Sequence, residues 1–259
     1  MGIPRSLARF PTLELPRTDQ QGAPKGAPSF TGPTMRYRAR PNLSYCVIDD
    51  HAIFLDIDAD RYFLLPDHLE RAFLGHVRKA GIPDERLQEL ADRKILASVP
   101  VEATGPARAH AEPSRSAAEL PSQTKRPAVL HVPEVWADVW TCRRMLRTQP
   151  FRNVLDAVVQ YRKVHDASAR PGVRPRQQDR LLLHTSVFQR ARLYVPIEPR
   201  CLMDSLALTR FLARRQHSAN IVFGVTHEPF AAHCWAQAGD LVLNDTLGSA
   251  RSHTPIRVV

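Results

Sequence analysis

Residues 198–216 read EPRCLMDSLALTRFLARRQ, and the chain on either side takes its meaning from them. Leu202, Met203, Leu206, Leu208, Phe211 and Leu212 recur at helical spacing, with Arg210, Arg214, Arg215 and Gln216 on the side assigned to solvent. The stretch is therefore an amphipathic helix. Pro199 limits its extension towards the N-terminus, so Cys201 falls in the first turn. Unbonded N–H groups and the positive end of the helix dipole favour a thiolate there. A cysteine buried as a small hydrophobe is the competing reading. Helical periodicity precedes the stretch over 133–148, 151–165 and 177–194, and strand-like runs follow it: ANIVFGV (219–225), AAHCWAQ (231–237), LVLND (241–245) and PIRVV (255–259). Helices followed by an antiparallel sheet predict an α+β domain over 127–259.

Upstream the pattern changes twice. Residues 1–34 are rich in Pro and Gly without a sustained period and are expected to be a disordered extension, with Met35 a candidate initiator. Between 35 and 100, SYCVIDD, HAIFLDIDAD and RYFLLP are short β-type runs separated by Asp49-Asp50 and Asp58-Ala59-Asp60, which predicts a three-stranded meander. Helical patterns then cover Asp67 to Ala80 and Pro83 to Leu96. So small a unit has a core barely sufficient alone. Residues 101–126 read as a flexible Ala/Pro/Ser linker.

The net charge of +10 would suit an acidic partner. The basic residues are scattered arginines without a dense run or interleaved aromatics, so nucleic acid is not the expected ligand. No stretch approaches the roughly 20 apolar residues of a membrane span. Cys46, Cys142, Cys201 and Cys234 form no CxxC pair, which points to free thiols in a reducing cytoplasm and to no zinc site. No nucleotide-binding loop is present, so no cofactor is expected.

A thiolate nucleophile needs a base, and the base an orienting partner. His233 and Asp245, on the strands after the helix, are the candidates. The two are symmetric about Gly239, so a three-residue connection Ala238-Gly239-Asp240 would set them side by side. A two-residue turn would pair Cys234 with Asp245 instead. Taken singly, His233 reads as a core histidine and Asp245 as a turn residue; together with Cys201 they favour catalysis.

RCLMDSLAL (200–208) and VFGVTHEPFAAHCWAQAGDLVLND (222–245) resemble the leader peptidase, or B protein, of lasso peptide biosynthesis, within the transglutaminase-like cysteine peptidases. The likeness rests on Cys201-Leu202, Ser205-Leu206-Ala207-Leu208, Phe230, Ala232-His233, Trp235 and Asn244-Asp245. Gln237 departs from the acidic residue usual two places after the Trp. The resemblance implies a Cys201–His233–Asp245 triad that cuts a lasso precursor between leader and core. It also implies an ATP-dependent cyclase of the asparagine synthetase-like type as partner. Residues 35–100 look like a precursor recognition element, a winged-helix-like fold of three strands and three helices. Such elements bind the leader as an added strand, for which Arg61, Tyr62, Phe63, Leu87 and Leu90 are the expected contacts. The linker would then hold the leader near the nucleophile. Two other readings stay open: a non-catalytic peptide-binding module, and acyl transfer to an amine.

Overall fold

The computed structural model describes residues 35–79, 83–100, 111–120, 128–165 and 175–259. The expected disordered extension, residues 1–34, lies outside them. The fold is α+β: a strand-rich N-terminal region followed by a helical and sheet-forming C-terminal one.

In the N-terminal region β2 (Leu43–Ile48), β3 (His51–Asp56) and β4 (Arg61–Leu64) form the expected antiparallel meander, in that order. Asp49, Asp50 and Asp60 all take positive φ, which short polar side chains tolerate best after glycine. β1 (Met35–Ala39) pairs with β5 (Leu96–Pro100) in a separate two-stranded ladder that the sequence reading did not include. Helices α1 (Asp67–Val77) and α2 (Asp84–Asp92) lie between them, shorter than their periodic patterns. A third helix of the winged-helix pattern is absent among the described residues of this region.

The continuous apolar run of β3 has a plain cause: both faces are buried. Ala52 and Phe54 pack with Phe63, Leu69, Phe73 and Leu90 beneath the two helices. Ile53, Leu55, Ile57 and Tyr62 instead join the core of the C-terminal region, where the Tyr62 ring meets Phe230 edge-on at 5.7 Å. Burying each of these side chains favours the packed state by roughly 1.5–3 kcal/mol. The two regions therefore share a core and are not beads on a string.

That core is centred on α6 (Cys201–Ala213), flanked by α3 (Val132–Thr148), α4 (Phe151–His165) and α5 (Pro175–Arg192). The arginine face of α6 is not solvated as expected. Arg214 and Arg215 bind Glu134, and Arg214 and Arg210 face the buried Asp138 on α3, while Arg210 also lies over the Tyr161 ring at 4.1 Å. The arginine hydrogen bonds pull Glu134 down to about 2. Against α6 lies a five-stranded sheet, ordered β10 (Thr254–Val258), β7 (Asn220–Thr226), β8 (Ala231–Ala238), β9 (Leu241–Val242) and β6 (Arg115–Ser116). Two features correct the sequence reading. Residues 111–120 of the expected linker lie along this sheet, where Arg115–Ser116 form β6 parallel to β9, and the rest of the linker lies outside the described residues. LVLND contributes only two strand residues before a short helix, α7 (Leu247–Arg251).

Candidate active site

Cys201 is the first residue of α6 and is partly exposed. Arg200 caps the helix with extended backbone and without a side-chain bond; instead Asp204 reaches back to the Arg200 N–H at 3.1 Å. The bond does the work of the reach-back half of a capping box, from one position further along the helix. The first N–H groups of a helix have no partner within it, so those of Cys201, Leu202 and Met203 are available to a developing oxyanion. Asp204 is held in turn by Arg192 at 2.7 Å.

His233 sits in β8 opposite Gly224 of β7. The glycine is required by close approach: a Cβ there would come within 2.8 Å of the Trp235 ring and of His253 Cβ. The His233 ring lies near both of these neighbours, 6.1 Å from Trp235 and 5.3 Å from His253. Its Nε2 bonds Asp245 Oδ2, and Cys201 lies close enough to act on the charge of the ring. The structure thus brings all three expected residues together.

It does so by a different route from the one expected. β8 and β9 are joined by the two-residue turn Gly239-Asp240, with Gly239 at φ +61°. Continued, that register would set Cys234 opposite Asp245, but the ladder stops first. Leu243 N–H still bonds Ala236 C=O at 2.8 Å, and then the side chain of Asn244 replaces the backbone, accepting from Ala236 N–H at 2.7 Å. The chain turns away from the strand there, and Asp245 swings to His233. Its other contacts are Ser249 Oγ–H at 2.9 Å and Thr246 N–H at 2.7 Å.

Asn244 also donates to Ser205 Oγ at 2.9 Å, and Ser205 donates to Cys234 C=O at 3.3 Å. Ser205 lies one helical turn beyond Cys201, so this link ties the nucleophile helix to the loop carrying the carboxylate. Segment 111–120 supports the same loop from the other side: Ser116 donates to Asp245 C=O, Glu119 accepts from Leu247 N–H, and Arg251 donates to Pro113 C=O. Sequence reasoning missed Ser249, Ser116 and Glu119. For the two serines no local signal exists, since each acts through a contact distant in sequence or through the unforeseen helix. Gln237 proves to be fully engaged and buried: it accepts from Trp235 Nε1 and donates to Ala111 and Gly239 carbonyls. An acidic residue could not make those two donations.

Burial alone would depress the His233 pKa, but Asp245 and Cys201 raise it to about 9. Asp245 is pushed the other way: burial opposes its charge, but His233, Ser249 and Thr246 hold it below the usual carboxylate range. The remaining cysteines are buried, and burial lifts Cys46 to about 11, Cys142 to about 12 and Cys234 well above its ordinary value.

The expected leader contacts fare differently. Tyr62, Phe63 and Leu90 are core residues, exposed by 3% or less, and cannot offer their side chains to a peptide in this state. Arg61 is half-buried with its guanidinium over Phe63. Leu87 does line an open groove of about 760 Å³, shared with Tyr37, Tyr45, Phe73 and His76.

Residues 145–258 match the family described as the transglutaminase-like superfamily. The C-terminal region is a transglutaminase-like domain. A stretch of 45 residues is 44% identical to the microcin J25-processing protein McjB of Escherichia coli, covering 17% of this chain and 22% of that protein. The chain thus aligns with about a fifth of the curated relative it matches. No solved structure matches.

Proposed function

We propose that the chain is a cysteine peptidase that removes the leader of a lasso precursor peptide. The observation that carries this is the bond between the His233 imidazole and the Asp245 carboxylate, with Cys201 close by as the first residue of a helix. In the proposed reaction the thiolate attacks the scissile carbonyl and the oxyanion meets the free N–H groups of the α6 first turn. His233 protonates the departing amine of the core peptide, leaving a thioester between Cys201 and the leader. It then takes a proton from water as the thioester is hydrolysed. Asp245 keeps the ring oriented throughout.

In this reading the N-terminal region holds the leader. Among the described residues β4 pairs only with β3 and so offers an edge for an added strand, and the groove beside Leu87 offers apolar and aromatic side-chain pockets. The freed core would pass to the ATP-dependent cyclase. Incubating the chain with the precursor encoded beside its gene and weighing the products tests the proposal. The expected result is a leader acid and a free core, both lost in Cys201→Ala. A leader amide would point to acyl transfer, and unaltered precursor with slow, non-selective alkylation of Cys201 would leave only a binding module.

A further inference from the structure

A cavity of about 410 Å³ lies against the start of α6: Arg200 and Leu202, the chain neighbours of Cys201, both line it. That volume lies in the range of ligand pockets, roughly 300–1,000 Å³. Leu146, Phe151, Ile197 and Leu202 give it an apolar wall, and its charged groups are Arg143, Arg147 and Arg200 against Asp60 and Glu198. These charges are not equally engaged. Arg200 faces Glu198 at 3.6 Å, and Asp60 already interacts with another group. Arg143 and Arg147 stand one turn apart on α3, exposed, with no hydrogen bond or ion pair to any of the described residues. Their neighbour Arg144 lies over Trp140 instead. Two guanidinium groups thus border an apolar-walled cavity without an acceptor. Their planar donor fork matches a carboxylate.

We propose that this cavity is a subsite for an acidic residue of the peptide substrate close to the scissile bond. Its carboxylate binds Arg143 and Arg147, and its methylenes lie on the Leu146 and Ile197 wall. The identity of the ligand as a peptide rests on the peptidase reading above; the selection of an anion does not.

Two experiments on the full chain separate these. In the first, Cys201 is alkylated with iodoacetate and with iodoacetamide at low ionic strength. His233 itself draws anions to the sulfur, so the comparison is between wild type and Arg143→Glu/Arg147→Glu. The ratio of the two rates is expected to fall about three- to tenfold in the variant, the size of a charge reversal at close range in high dielectric. The uncharged reagent should react at an unchanged rate, which reports an intact site. If the rate with iodoacetamide also collapses, Arg143→Gln/Arg147→Gln is measured in its place. An unchanged ratio overturns the subsite. In the second, a synthetic peptide library is digested and the products are identified by mass. Wild type should favour Glu or Asp at one position beside the cut, and the charge-reversed variant should favour Lys or Arg there. Cleavage without acidic preference overturns the subsite and leaves the peptidase reading standing. A responsive alkylation ratio without any cleavage, of the library or of the precursor, does the reverse.

Discussion

Asn244→Ala removes the side chain at which the β8–β9 ladder ends. In the parent, Asn244 accepts from Ala236 N–H at 2.7 Å and donates to Ser205 Oγ at 2.9 Å. Ala236 and Ser205 are both fully buried, so water does not readily replace the lost partner. A buried donor left unsatisfied costs about 1–3 kcal/mol, and the second lost bond about 1 kcal/mol. The variant should therefore unfold about 2–4 kcal/mol more easily in a denaturant titration. A second consequence is specific to the site. Asn244 sets where the chain leaves the strand, so Asp245 should drift from His233, and the imidazole should lose the carboxylate that holds its pKa near 9. Alkylation of Cys201 followed against pH reads this directly, as an inflection displaced downwards. Asn244→Asp keeps the acceptor for Ala236 but cannot donate to Ser205, and should fall between the two. A variant within about 0.5 kcal/mol of the parent, with an unmoved inflection, would refute the role given to Asn244.

Gly224→Ala should cost about 1–3 kcal/mol by overpacking against Trp235 and His253, and should slow cleavage through the displaced His233; thermal melting and product formation check it. Gln237→Glu places a carboxylate against the carbonyls of Ala111 and Gly239, so a destabilisation of at least about 1–3 kcal/mol is expected above pH 5, relieved on acidification as the carboxyl regains a proton. His233, raised from 6.5 to about 9, stabilises the fold fully below pH 6.5 and loses that contribution as pH rises through 9. Comparing wild type with His233→Gln in denaturant across that window should show the gap between them closing. Iodoacetamide should label Cys201 well before Cys46, Cys142 and Cys234, since those three thiols are buried; equal rates by peptide mapping would count against an activated Cys201.

The helix around Cys201 and the strands after it were legible because apolar periodicity reports burial directly. The meander of β2, β3 and β4 was legible from its aspartate-rich turns. The path by which Asp245 reaches His233 was not, because the residue that ends the ladder does so through a side chain, and strand pattern is blind to that. Residues 111–120 read as linker because their pairing partners lie far along the chain and their composition is that of a turn. Tyr62 and Phe63 on β4, and Leu90 on α2, read equally as groove or as core, because periodicity shows that a face is covered but not by what. β3 has two covered faces, each by a different half of the molecule, and no single-strand pattern distinguishes this from a strand with one open face.

The packing of Ile53, Leu55, Ile57 and Tyr62 onto the C-terminal core replaces a tether with a rigid mount. A slack tether would let a bound peptide sample many cutting points. A rigid mount fixes the span from the edge of β4, unpaired among the described residues, to the sulfur of Cys201. In the proposed reading, the protein therefore measures its substrate as a ruler does: residues added to or removed from the leader between anchor and cut should move the cut or prevent it, whatever the sequence at the junction.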